Sequence, residues 1–203
     1  MKSFAKLLSI ILHPILLPSL FSILLFESDS YLALLPIQIK FIITLVIFFT
    51  TFILPASSMP ILKSFGVINS YEMEDNKERL YPMFITILSY SVCFVLLMQF
   101  PFPVPGVVYR SLVGGVITLL ACMAITYRWK ISAHTAGMGG FVASILGFGL
   151  RYGANIEIWF AISLVLLGLV SSARLYLKSH TPLQVTAGFI LGFSAVIISI
   201  FTI

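Results

Sequence analysis

Charge is scarce in this chain. Asp, Glu, Lys and Arg together make up 9% of its 203 residues, whereas an ordinary soluble domain carries about a quarter. Cysteine is scarcer still: Cys93 and Cys122 both fall inside apolar runs. They read as buried thiols and carry no information about redox compartment. No polar stretch is long enough for a soluble domain, so residues 1–203 read as a single membrane-embedded domain. The strict alternation of a membrane β-barrel strand is missing as well. Lys2 and Lys6 precede an apolar run, yet Phe26-Glu27-Ser28-Asp29 follows it where a signal peptide would show small residues. That segment therefore reads as a retained first helix. The net charge of +5 is modest and spread over loops, which gives no reason to expect a nucleic-acid partner. It suits a basic edge facing anionic lipid headgroups.

What the chain has is hydrocarbon, with 60% of its residues hydrophobic. Seven apolar runs lie at 4–26, 38–60, 83–101, 107–127, 134–151, 157–173 and 183–203. A bilayer core requires about 20 residues per helix. The expected fold is all-α, a polytopic bundle of six to seven transmembrane helices. The longest loop is expected from Lys63 to Pro82, and Phe100-Pro101-Phe102-Pro103-Val104-Pro105-Gly106 reads as a tight return, since proline cannot continue a helix. Ala136 and Gly140 are spaced four apart, as are Gly188 and Gly192. That spacing lets helix backbones approach closely in lipid. Loop charge gives an orientation. The amino terminus and the second, fourth and sixth loops hold Lys2, Lys6, Lys63, Lys77, Arg79, Arg128, Lys130, Arg174 and Lys178, against Lys40, Arg110 and Arg151 on the other side. The richer side is expected in the cytoplasm, of a bacterial inner membrane.

Against this background one polar stretch stands out: Arg174-Leu175-Tyr176-Leu177-Lys178-Ser179-His180-Thr181-Pro182-Leu183-Gln184. Only three histidines occur, His13, His134 and His180. His134 opens the fifth run and His180 precedes the last. Two crossings lie between them, and two crossings return a chain to the face it left, so His134, Arg174 and His180 can meet. A neutral imidazole is a nucleophile and, protonated, a general acid. An arginine fork grips phosphate oxygens. Phosphoryl transfer by such a group needs neither metal nor cofactor, and no third or fourth metal ligand is at hand in the sequence. Several of these residues also have a purely structural reading. Ser132 can cap the fifth helix, and Thr181-Pro182-Leu183-Gln184 fits a capping box. Arg174 and Lys178 can simply reach for headgroups, and His13 beside Pro14 can serve a helix kink.

The order and spacing resemble the type 2 phosphatidic acid phosphatase superfamily of integral-membrane lipid phosphatases. That family's third motif is Ser-Arg, five residues, His, three residues, Asp. Here it reads Ala173-Arg174, five residues, His180, three residues, Gln184. The second motif, Pro-Ser-Gly-His, reads Ile131-Ser132-Ala133-His134. The resemblance spans roughly residues 74–192. It implies His180 as the phosphoryl-accepting nucleophile, His134 as general acid and Arg174 as a phosphate holder, with Ser132, Lys77, Arg79, Lys130 and Gln184 on the substrate. Three departures stand out. Gln184 takes the place of the acid that orients the nucleophile, and Ala133 that of the motif's glycine. In the first motif (Lys, six residues, Arg-Pro) Glu74 and Tyr81-Pro82 stand at the expected positions, with Lys77 and Arg79 close by to supply charge. The resemblance implies a phosphatase for a lipid phosphate: phosphatidate, phosphatidylglycerol phosphate, or a polyprenyl phosphate or diphosphate. The alternative is a non-catalytic relative that binds or moves a phospholipid headgroup.

Overall fold

A computed structural model describes residues 2–71, 73 and 75–203. About 80% of the chain is helical and no strand occurs among the described residues. Seven helical spans are long and apolar enough to cross a membrane: Lys2–Glu27, Ile37–Ser64, Asn76–Met98, Gly106–Thr126, Ala133–Tyr152, Glu157–Tyr176 and Pro182–Thr202. The described residues form an all-α membrane bundle of seven spans.

The first two spans are interrupted for identifiable reasons. Span one is helix α1 (Lys2–Ile11), a 3₁₀ turn (Pro14–Leu16) and helix α2 (Leu17–Glu27). Pro14 pushes the residue before it out of the helical region, and His13 sits at φ −67°, ψ 135°. Its Nδ1 accepts a hydrogen bond from Ile15 N at 3.5 Å. Span two is α3 (Ile37–Phe48), a π turn (Phe49–Ile53) and α4 (Leu54–Ser64). Pro55 has no N–H to offer the preceding turn and crowds its carbonyl, and the wider π turn accommodates it. Thr50 and Thr51 then donate their hydroxyls to Val46 O and Ile47 O.

The remaining spans are α5 (Asn76–Met98), α6 (Gly106–Thr126), α7 (Ala133–Tyr152), α8 (Glu157–Tyr176) and α9 (Pro182–Thr202). The sequence expectation needs correction at α5. The loop ends at Asp75, not Pro82, because Asp75 caps the helix by accepting a hydrogen bond from Lys77 N at 3.0 Å. Lys77 and Arg79 therefore ride on a helix that projects beyond its apolar part. At the other end of the bundle α7 stops at Gly153, whose φ of 64° is the left-handed conformation glycine adopts without strain.

Helix α7 is the most buried span and forms its most extensive contact with α9. The two backbones nearly touch. A Cβ at Gly188 would come within 2.5 Å of Ser132 O, and one at Gly192 would collide with Ala136 O. The small-residue spacing thus has the packing role expected of it in lipid, where close backbone approach replaces the hydrophobic drive. Gly192→Val is expected to destabilise the bundle by about 1–3 kcal/mol or more. A fall in the thermal unfolding midpoint in detergent would show it. Cys93 and Cys122 are free and buried.

Candidate functional site

The site is assembled where α8 ends and α9 begins. Helix α8 closes through a turn in which Ser179 N donates to Arg174 O at 3.1 Å, with Lys178 in the left-handed region at φ 53°. This turn reverses the chain and tucks His180 back against the bundle, only 8% exposed. Helix α9 then starts with the full capping box: Thr181 Oγ1 accepts from Gln184 N at 3.4 Å, and Gln184 Oε1 accepts from Thr181 N at 3.1 Å.

Gln184 does a second thing. Its Oε1 lies 3.2 Å from His180 Nδ1. An amide oxygen can only accept, so His180 donates through Nδ1–H and its Nε2 carries the lone pair. The orienting half of what a carboxylate would do is present, and the charge is absent. The consequence shows in proton affinity. Burial, reinforced by the nearby Arg174 cation, holds His180 down from 6.5 to about 4, and the hydrogen bond to Gln184 offsets this only in part. The imidazole is therefore neutral, and nucleophilic, throughout the physiological range.

Both His134 and His180 line one cavity of about 1280 Å³, as do Arg174, Arg79, Lys130 and Lys178. The return of the chain after two crossings thus brings both histidines to one place. His134 is held from an unexpected direction: its Nε2 donates to Ser9 O of α1 at 3.1 Å. That leaves Nδ1 as the ring nitrogen available for proton exchange. Arg174 Nε is buried with no hydrogen-bond partner, a donor held ready for an acceptor that the described residues do not supply. Arg79 spends its Nε on Met73 O at 2.8 Å. Among the described residues lining the cavity none is Asp or Glu, while Lys and Arg recur around one end.

Other expected residues fall elsewhere. Ser132 is fully buried; its Oγ caps α7 by accepting from Thr135 N at 3.4 Å, and its N–H donates to Gln184 O at 3.3 Å. It joins the α7 and α9 termini and is not among the residues that line the cavity, although its neighbours Ala133 and His134 are. Lys77 is exposed and does not line the cavity; two positions further along the same helix, Arg79 does. Gln184 borders a shallower depression of about 510 Å³ on the outer side of the same turn. It meets the cavity through His180. Glu74, aligned with the first motif's lysine, lies outside the described residues; Pro82 lines the cavity. No three described His, Cys, Asp or Glu side chains converge as a metal-ion ligand set would.

The first span, α1 and the kink that follows it, supplies what the sequence reading missed. Lys2, Lys6, Ser9 and His13 all line the cavity, and the His13 and His134 rings meet edge to face at 5.1 Å. A signal was available. These four positions are spaced 4, 3 and 4 apart, which marks one stripe of a helix, while Phe4, Leu7 and Ile11 face outward. No family model, curated protein or solved structure matches the chain.

Proposed function

We propose that this protein is a membrane-embedded phosphatase for lipid phosphate esters, of the type 2 phosphatidic acid phosphatase kind, acting through a phosphohistidine. The observation that carries the reading is the pairing of a neutral, buried His180, its Nε2 lone pair fixed by Gln184, with the unpartnered Nε of Arg174 in a cavity rich in cations.

In the first half-reaction His180 Nε2 attacks phosphorus and the P–O bond to the lipid alcohol breaks. The leaving oxygen takes a proton from Nδ1 of a protonated His134, whose Nε2–H can stay on Ser9 O throughout. In the second, Nδ1 of the now neutral His134 takes a proton from water as the water oxygen attacks phosphorus. The N–P bond breaks, inorganic phosphate leaves, and His180 Nε2 recovers its lone pair. Arg174 stabilises the equatorial oxygens in both transition states, with Arg79 and Lys130 adding positive potential. No cofactor enters this scheme. Purified protein should release inorganic phosphate from at least one of phosphatidate, phosphatidylglycerol phosphate and polyprenyl mono- or diphosphate. A panel with no release from any of them would sink the reading.

The excess of Lys and Arg in the loops on the side of the cavity mouth favours a cytoplasmic opening. A Ser179→Cys variant should then escape a membrane-impermeant maleimide in intact cells and react in inverted vesicles; the opposite pattern would reverse the assignment.

The rate should report His180. With the residue held near 4, its neutral fraction, and so the acid limb of kcat/KM, is complete by about pH 5 and falls as pH drops through 4. Gln184→Glu keeps the reach that the capping box needs and adds a negative charge beside Nδ1–H. The charge favours imidazolium, so the limb should move upward by roughly one pH unit or more. A limb that stays in place would show that His180 is not the titrating nucleophile.

One observation favours a second reading. Gln184 gives His180 orientation without charge, and His134 keeps one ring nitrogen on Ser9 O. Such a site suits a relative that holds a phospholipid headgroup without cleaving it. Saturable binding of the panel lipids with no phosphate released by any preparation would select it.

A further inference from the structure

The cavity is much larger than a phosphate needs. From the cationic mouth it continues along α6 from Cys122 to Val108. That is 122 − 108 = 14 residues, or about 21 Å at 1.5 Å per residue. It ends within one turn of the start of α6 at Gly106. One leaflet of the hydrocarbon core is only about 15 Å, half of roughly 30 Å. The far walls are made by Phe21, Ile47, Leu112, Phe141 and Val196, all buried. These five side chains are turned into the bundle, away from its outer surface.

Most of its lining is hydrocarbon, with the hydroxyl groups of Tyr90 and Ser144 among it. Three hydroxyl residues along it turn back to carbonyls: Thr86 Oγ1 donates to Pro82 O, Thr118 Oγ1 to Gly114 O and Ser22 Oγ to Ser19 O. Ser111 Oγ, near the far end, has no partner. Width comes from missing side chains. Gly115 and Gly140 line the cavity, and a Cβ at either would press to 3.2 Å on Tyr90 or on Val196. Large apolar voids are costly when left empty, and water gains little where so few polar groups face it.

We propose that the interior of the bundle takes the hydrocarbon chain of the phosphate ester as a single extended strand, and that Leu112 and Val196 at its far end limit the chain length. The substrate would then be a long, single-chain phosphate whose tail leaves the bilayer, in contrast to a two-chain lipid whose tails stay in it. This rests on the phosphate-site reading above. The test is therefore a binding measurement that needs no turnover. A hexadecyl phosphonate, which cannot be hydrolysed, would carry a diazirine at its terminal carbon. After photolysis in the full-length protein, its cross-links should map to Val108–Leu112 or around Val196. A decyl analogue should label nearer Thr118. Leu112→Trp should weaken hexadecyl phosphonate binding about tenfold and leave decyl phosphonate binding unchanged. If that variant does not fold, the wild-type map decides alone. Cross-links confined to lipid-facing positions of α6 such as Ile117 and Leu120, which are 44% and 46% exposed, would overturn the proposal. So would equal binding of both chain lengths by a folded Leu112→Trp. Deep cross-links from a protein that releases no phosphate would leave the chain site standing and defeat the phosphatase. Phosphate release with only lipid-facing cross-links would do the reverse.

Discussion

His180→Ala is expected to lower phosphate release by at least about 10⁴-fold while leaving the protein folded. The size follows from what is lost. Removing the nucleophile from a site whose members act as a unit costs nearly all the chemistry, and only binding and electrostatic help remain. Folding should survive because the ring contributes one hydrogen bond to Gln184, and Gln184 Oε1 keeps Thr181 N–H as a donor. The α9 capping box therefore persists. Steady-state phosphate release should be measured beside thermal unfolding in detergent. A second readout separates chemistry from packing: wild type quenched in acid-free conditions during turnover should carry phosphate on one histidine, and His180→Ala should carry none. Equal turnover by the variant would exclude His180 as the attacking group, whatever the fold does.

The spans were legible because each is a run of apolar residues of membrane length, and in lipid a helix satisfies its own backbone within one segment. The placement of His180 was legible too. Thr181, Pro182 and Gln184 spell a helix start, and a helix start fixes the side chain just before it. The sequence was misleading at α5. Lys77, Glu78 and Arg79 look like loop, but Asp75 caps them into helix, and helix is what aims Arg79 at the cavity and Lys77 away from it. Ser132 carried two readings, phosphate holder and cap, and burial supports the cap. His13 was obscured by its own explanation: a proline kink accounts for it locally, and only tertiary packing brings its ring to His134. Likewise Gly137, Gly139 and Gly140 look alike in sequence. A Cβ at Gly139 would meet Phe189 O and one at Gly137 would meet Pro14, whereas the neighbour of Gly140 is Val196 at a looser 3.2 Å; Gly137 and Gly140 also line the cavity. A helical period assigns residues to faces but does not say which face meets a neighbour and which meets a cavity.

Arg174→Ala is the other large effect to expect, about 10²–10³-fold in kcat/KM, the usual scale for removing one preorganised donor from a developing anion. Arg174→Lys should recover little of it. A lysine ammonium is a point charge without the planar fork, and it cannot place a donor where the buried Nε now sits. A helix-end arginine whose only task was to reach headgroups would tolerate lysine, so the lysine variant separates the two roles. The pH profile separates them again. Arg174 is, after burial, the main influence holding His180 near 4. Removing the cation relieves that influence, so His180 should take up its proton at higher pH and the acid limb should move upward in Arg174→Ala. Lysine, which keeps the charge, should leave the limb near 4 even as the rate falls. A loss of rate in both variants with a limb that moves only in alanine would tie Arg174 to the phosphate and to the imidazole at once. Full activity in the lysine variant would reduce Arg174 to an interfacial anchor.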